Sequence, residues 1–200
     1  MSSNDVSVVL VHGAWADGSS WAKAIGPLAA DGVKVAAAPL PLTSFGDDAA
    51  ALDRTLERMT GPVVLVGHAY AGAVIGATRS EKVKALVYVA ALAPHEGETV
   101  ADVFYRAQPH PQAPKLAPDA HGLIYLPEAA FAAAFAQNAS VAEQDRMIAP
   151  ETQHFMATRM KARLRSLPVD HTPLVTAPGA VVDIIREAMR DVVGGQSPPR

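Results

Sequence analysis

The sequence contains no cysteine, and only 6% of its 200 residues are aromatic and 18% charged. The absence of cysteine excludes disulfide bonds and thiol chemistry, and it is compatible with a reducing compartment. The net charge of −3 argues against nucleic acid or an anionic membrane as the main partner. No apolar run approaches the roughly 20 residues that span a bilayer, and the first residues lack the basic and apolar regions of a secretion signal.

Hydrophobic residues, in contrast, make up half of the chain. A chain of this length and composition suits one domain with a sizeable core and a small insertion. We therefore expect a soluble cytoplasmic protein, a monomer or a homodimer, whose partner is a small molecule.

Short apolar runs alternate with helical patterns through the first 95 residues. Runs without polar alternation are typical of strands buried on both faces. Strands and helices that alternate at these lengths imply right-handed crossovers. The sequence therefore predicts an α/β fold with a doubly wound, mostly parallel sheet. The predicted strands are 6–11, 33–38, 63–66 and 83–90, and the helices between them begin near residues 21, 47 and 71.

The stretch 61–76 is the centre of this pattern. A buried strand ends at Gly67, and small residues follow it into a helix. A sharp strand-to-helix turn needs small residues, because the strand and the helix approach each other closely. Such a turn presents its tip residue, here Ala69, at a helix N-terminus whose unpaired amides attract negative charge.

The turn Gly67-His68-Ala69-Tyr70-Ala71 resembles the nucleophile elbow of the α/β-hydrolase superfamily, whose pattern is G-x-S-x-G. Ala69 stands where that family has its nucleophilic serine, and Ala71 where it has the second glycine. After the first strand, His12-Gly13-Ala14-Trp15 is similar to the branch of small esterases, methylesterases and hydroxynitrile lyases. Alone, His12-Gly13 would be read as a plain turn.

The resemblance implies an oxyanion hole made by the backbone N–H groups of Ala14 and Tyr70, with no cofactor and no metal. It implies a hydrolase core over 1–95 and 139–200, and a small helical cap over 96–138 that covers the pocket. Each aromatic residue of the cap has the alternative role of holding the cap together. The proposed pocket walls are His12, Trp15, Phe104 and Tyr125, with Tyr105, Leu123, Phe131 and Phe135 as further candidates.

The order of elbow, acid and histidine in the family implies Asp145 as the catalytic acid and His171 as the base. Asp170, Glu96 and Glu98 are the alternative acids. Ser19 or Ser20, near the oxyanion loop, is an alternative nucleophile, although capping of the next helix is the simpler role. Beyond the acid, the sequence predicts a helix over 150–162, a strand over 163–168 and a helix over 178–193.

A strand is expected just before the acid, but only residues 139–142 lie between the predicted cap helix, 127–138, and Glu143. A true deletion, an engineered deletion and an omitted segment followed by renumbering would each explain this. An omitted segment predicts a chain break between about Asn138 and Glu143.

The resemblance implies a scaffold of carboxylic ester hydrolases that act on small molecules. Because an alanine cannot attack a carbonyl, ordinary serine-esterase activity is expected to be absent or very weak. One alternative is a lyase of the hydroxynitrile lyase type, with His171 as base and the oxyanion hole holding negative charge. The other is a non-catalytic protein that binds a small ligand.

Overall fold

A computed structural model describes residues 5–135 and 145–195. Within them, four parallel strands form one sheet in the order β2-β1-β3-β4. The prediction of a parallel α/β sheet is therefore confirmed. The strands are β1 (Ser7–Val11), β2 (Lys34–Ala38), β3 (Val63–His68) and β4 (Val83–Val89).

Helices cover both faces of this sheet. The first helix and the last helix of the chain bury Leu28 and Ile185, respectively, against one face. The second and third helices bury Leu56 and Val74 against the other face. The helices are α1 (Ala22–Ala30), α2 (Phe45–Glu57), α3 (Ala71–Ala77), α4 (Val100–Phe104), α5 (Glu128–Ala130), α6 (Pro150–Arg159), α7 (Pro173–Thr176) and α8 (Pro178–Val193). Among the described residues, no helix combines the length and apolarity that crossing a bilayer requires.

Two local expectations about helices differ from the structure. A 3₁₀ turn, Gly18–Trp21, precedes α1, and its cap is Asp17 rather than Ser19 or Ser20. An aspartate carboxylate can accept the amide hydrogens of the first turn as a serine does. The helix predicted over 127–138 is a short α5 followed by a π-helical turn, Phe131–Phe135, and its remaining residues lie outside the described part.

The strand order places the site at a break in the winding direction. From β1 the chain crosses to β2 on one side and then to β3 on the other side of β1. In such sheets, ligands bind at the carboxyl ends of the strands on either side of this point. Val11 is level with Gly67, so the loop after β1 and the turn after β3 lie side by side.

Close packing of α3 against the loop after β4 requires a glycine at position 72. A β-carbon at Gly72 would lie 2.3 Å from the carbonyl oxygen of Leu92 and 2.9 Å from the β-carbon of Ala91. The family pattern has its second glycine one position earlier, where Ala71 is fully buried. The close approach that this turn needs therefore depends on Gly72.

The prediction of a strand over 163–168 is wrong. The segment is largely exposed and irregular, and no strand of the described residues pairs with it. A β-strand needs a neighbour for its backbone hydrogen bonds. Instead Arg163 and Arg165 form ion pairs with Glu187, and Arg163 also pairs with Asp191 on α8. The strand expected near 139–142 and the possible chain break fall outside the described residues.

Gly72→Ala should destabilise the protein by about 1–3 kcal/mol or more, because a backbone carbonyl occupies the space of the new methyl group. Urea unfolding would measure this loss. Gly179→Ala is the matched control, since nothing lies within 4 Å of its β-carbon position in α8. This control should raise stability slightly, by up to about 1 kcal/mol. Equal effects of the two changes would contradict the packing argument.

Candidate active site

The tip of the elbow is held in a strained backbone conformation. Ala69 has φ +52°, in the left-handed region that non-glycine residues rarely adopt. Its carbonyl oxygen accepts hydrogen bonds from the amides of Gly72 and Leu92, each at 3.0 Å, and its own amide donates to Val89 at 3.3 Å. Three backbone contacts therefore fix the direction of the Ala69 methyl group, which is 7% exposed.

The loop after β1 packs directly against this tip. A β-carbon at Gly13 would lie 3.0 Å from the β-carbon of Ala69 and 3.1 Å from the carbonyl oxygen of His68. Within the described residues, no acceptor is found for the backbone N–H of Ala14 or of Tyr70. These two amides, one from each of the touching loops, are available to a negatively charged oxygen.

Side chains of the predicted site hold these two loops in place. His12 accepts a hydrogen bond from the Leu40 amide through Nε2 (3.0 Å), so its Nδ1–H donates to the Gly13 carbonyl (2.9 Å). Both ring nitrogens thus bind backbone, which assigns His12 to the support of the loop rather than to a pocket wall. Trp15, with φ +57°, donates from Nε1 to the carbonyl of Ile124 in the cap at 2.8 Å.

The phenol of Tyr70 supports the elbow from the other side. It donates to Asp48 Oδ2 at 2.7 Å, while Asp48 Oδ1 accepts the Leu42 amide at 2.7 Å. Burial raises the pKa of Tyr70, and the hydrogen bond to Asp48 raises it further by a smaller amount. The phenol therefore stays protonated and remains a donor.

Asp145 and His171 form a buried hydrogen-bonded pair. His171 Nδ1 lies 3.0 Å from Asp145 Oδ2. The same carboxylate accepts the amides of Met147 (2.8 Å) and Ile148 (3.0 Å) through Oδ1, and Gln153 Nε2 (2.9 Å) through Oδ2. These donors fix the carboxylate, and the carboxylate in turn orients the imidazole. Sequence reasoning missed Gln153, and only its position on the first turns of α6 could have suggested it.

The alternative acids and nucleophiles have other contacts. Asp170 accepts hydrogen bonds from the Thr172 amide and from Thr176 Oγ1, and not from the ring of His171. Glu98 pairs with Arg159 at 2.8 Å, and Glu96 is exposed. Ser20 donates to the Asp17 carbonyl, and the Ser19 amide donates to the Asp17 carboxylate.

The cap contributes one aromatic side chain directly to the site. Phe135 packs edge-on against His171 (5.4 Å between ring centroids), Trp15 (6.3 Å) and His68 (6.5 Å). Phe104 packs edge-on against Tyr105 and belongs to the same apolar cluster as Phe135 and Trp15. Tyr125, another proposed wall, is 68% exposed, which corrects its assignment to the pocket. Physically, a tyrosine hydroxyl can remain hydrated at the surface at little cost.

A second buried histidine, His68, sits beside the pair. Its Nε2–H donates to the backbone carbonyl of His171 at 2.7 Å. Burial and then the neighbouring His171 lower its pKa to about 3, so the ring is neutral. Its place next to the tip residue is the signal from which sequence reasoning could have found it.

The described contacts bring together the hydrogen-bonded Asp145–His171 pair and, through His68, the turn whose tip is Ala69. In such an arrangement a histidine can move a proton and free amides can stabilise an oxyanion, whereas Ala69 cannot form a covalent intermediate. Among residues 5–135 and 145–195, no cluster of three His, Asp or Glu side chains could hold a metal ion.

Comparison with known proteins supports the same fold. The sequence profile of the alpha/beta hydrolase family matches residues 8–143. A search of curated proteins by sequence found no match.

Several solved structures are similar in architecture. A pyrethroid hydrolase from Sphingobium faniae JZ-2 has a TM-score of 0.72 at 17% identity, over 92% of this chain and 98% of that one. The thioesterase domain from the curacin biosynthetic pathway has a TM-score of 0.61 at 19% identity, over 92% of each chain. A methylketone synthase I of tomato, complexed with β-ketoheptanoate, has a TM-score of 0.68 at 15% identity, over 90% and 96%. Identities this low establish the shared fold and nothing finer.

His68 should make folding stability depend on pH. In the unfolded chain its pKa is the ordinary 6.5, and in the folded protein it is about 3. Below pH 6.5 the unfolded state therefore binds a proton that the folded state does not. The contribution of neutral His68 to the free energy of unfolding is complete above pH 6.5 and is lost as the pH falls. The loss should approach about 1.4 kcal/mol per pH unit.

Urea unfolding of the unchanged chain and of His68→Gln between pH 7.5 and 4.5 would measure this effect. The unfolding free energy of the unchanged chain, measured relative to that of His68→Gln, should fall as the pH falls. A constant difference would mean that His68 is protonated alike in both states.

Proposed function

Because this chain belongs to the α/β-hydrolase family, we propose that it acts on a small carbonyl compound by proton transfer without a covalent intermediate. Its scaffold is that of the carboxylic ester hydrolases of small molecules, and Ala69 removes their covalent step. The observation that carries the proposal is the complete Asp145–His171 pair beside two free amides and a nucleophile position that holds only a methyl group.

Ordinary ester hydrolysis needs an attacking oxygen at the elbow. In a serine protease series, loss of the nucleophile cost roughly 10⁶ in turnover, while the oxyanion hole and substrate binding retained about 10³ to 10⁴ over water. His171 activating a water molecule is the remaining hydrolytic route, and it lacks the intramolecular nucleophile. We therefore propose that any esterase activity of this chain is very weak.

A carbon–carbon lyase reaction suits the groups that remain. With a β-keto acid, the bond between the α-carbon and the carboxylate breaks, carbon dioxide leaves, and the electron pair forms an enolate. The enolate oxygen would lie at the amides of Ala14 and Tyr70. A proton from His171, resupplied by solvent, would then reach the α-carbon and give a ketone.

With a cyanohydrin, His171 would first accept a proton, whereas with a β-keto acid it would donate one. His171 would take the hydroxyl proton, the bond to the nitrile carbon would break, and cyanide would leave with the electron pair and then receive the proton. The β-keto acid is the better first test, because β-ketoheptanoate is the ligand of the structurally similar methylketone synthase. This likeness is an analogy of fold and does not identify a substrate.

The surroundings of the base favour a small substrate. The ring of Phe135 packs over His171, and Trp15 is tied to the cap through Ile124. Long or bulky acyl groups would have to displace these aromatic contacts. A non-catalytic binding role would use the same residues without needing the base.

Ala69→Ser should create esterase activity toward short p-nitrophenyl esters, because the new hydroxyl would stand beside His171 and the oxyanion hole. Turnover should exceed that of the unchanged chain by a factor on the order of 10² or more. The double variant Ala69→Ser with His171→Ala is the control and should return to background. If Ala69→Ser is folded but no more active than the unchanged chain, the site is not a hydrolase scaffold.

The unchanged chain should release carbon dioxide from β-ketoheptanoate, and His171→Ala should lose at least about 90% of that rate, since proton delivery typically contributes 10² or more. Gas chromatography of the ketone would measure it, with an aromatic cyanohydrin as the second substrate. Binding of the β-keto acid in calorimetry, with no turnover and no effect of His171→Ala, would favour the binding protein instead.

A further inference from the structure

We propose that His68 is a positioning residue that holds the His171 imidazole at a fixed distance from the elbow tip. It does so through one hydrogen bond to the backbone of His171. The consequence for turnover rests on the proposed function above, whereas the positioning itself does not.

The contact joins two distant parts of the chain. His68 Nε2 lies 2.7 Å from the carbonyl oxygen of His171, a separation of 103 residues, and both histidines are buried. The ring of His171 is held at its other end by Asp145. With the backbone held by His68 and Nδ1 held by Asp145, the direction of the free Nε2 atom of His171 is determined.

The loop that carries His171 is attached to α8 on its N-terminal side, where Arg163 and Arg165 pair with Glu187. Residues 163–168 are mostly exposed and irregular. On the C-terminal side, Asp170 and Thr172 form a local turn that continues into α7. Leu174 of α7 packs in the core against the sheet, and the hydrogen bond from His68 is the contact that ties the backbone of His171 itself to the end of β3 beside the tip.

His68 is well placed to act as a reference point. It is the last residue of β3 and the covalent neighbour of Ala69. Its ring is packed between Phe135 and the His171 ring, 5.0 Å away. If the elbow moved, the side chain of His68 would move the His171 loop with it. The distance between Ala69 and the His171 imidazole would therefore be kept.

The chemistry of the contact assigns the ring a donor role and not a basic one. A carbonyl oxygen only accepts, so Nε2 carries the hydrogen and Nδ1 has the lone pair. Nδ1 is buried without a partner in the described structure, beside Gly13. An unpaired buried nitrogen has a cost in free energy, so the histidine is not explained by general stability.

Two variants separate positioning from mere packing. His68→Gln keeps an N–H donor at a similar reach, whereas His68→Leu has none. His68→Asn, whose amide is too short for the carbonyl, is the substitute if the leucine variant does not fold. Lys82→Met is the matched control, because it removes part-buried hydrogen bonds to the carbonyls of Leu56 and Met59, which lie before β4 and away from the site.

The first measurement is the downfield proton resonance of His171 Nδ1–H, recorded by NMR on protein labelled with ¹⁵N-histidine. The resonance should be present in the unchanged chain, in His68→Gln and in Lys82→Met. It should be lost or broadened in His68→Leu or His68→Asn, because the freed loop lets water reach the hydrogen bond. An unaltered resonance in a folded variant without the donor would overturn the proposal.

The second measurement is esterase turnover in the Ala69→Ser background. Removal of the donor should lower kcat by about ten- to a hundredfold with KM little changed, and His68→Gln should restore most of it. A loss of kcat that follows the unfolding free energy alone, equal in Lys82→Met, would also overturn the positioning role. If Ala69→Ser is inactive, the proposed function fails, and the NMR result still decides the role of His68.

Discussion

The left-handed backbone turn at Ala69 is the constraint on which the candidate site depends. This conformation costs on the order of 1–3 kcal/mol for a residue other than glycine, and it persists only where its surroundings impose it. Here the amides of Gly72 and Leu92 both bind the Ala69 carbonyl. Because Gly72 has no side chain, α3 lies close enough to the loop after β4 for these bonds to form.

The geometry around this turn resembles that of the hydrolase nucleophile elbow, although its tip is a methyl group. The free amide of Tyr70 follows directly from the turn, and the loop of Ala14 is held against it through Gly13. His171 comes from a loop far along the chain, yet its ring is hydrogen-bonded to Asp145 and its carbonyl to His68 at the elbow. These contacts do not involve the side chain at position 69, so the arrangement that the proposed non-covalent chemistry needs is compatible with a methyl group there.

Two expectations from the sequence, a strand over 163–168 and a pocket role for Tyr125, differ from the structure. Residues 163–168 have the apolar and basic alternation of a strand, but no neighbouring strand is present in the described residues, so no ladder forms. Tyr125 belongs to the cap, as expected, but its ring faces solvent. Strand pairing and the direction of a loop side chain depend on neighbours that are distant in sequence, which local pattern does not reveal.

Local sequence pattern is enough to predict the four strands and the sharp turn at residues 67–72, because apolar runs and small residues have direct local consequences. It predicts complete burial correctly for β1 and β3, whereas β2 and β4 are partly exposed. The tertiary structure alone decided that His171 pairs with Asp145 rather than with its neighbour Asp170, and that His12 and His68 bind backbone. These hydrogen bonds join residues 26 to 103 positions apart. Such contacts arise only when the sheet and its loops have packed, because each needs a donor and an acceptor within about 3 Å.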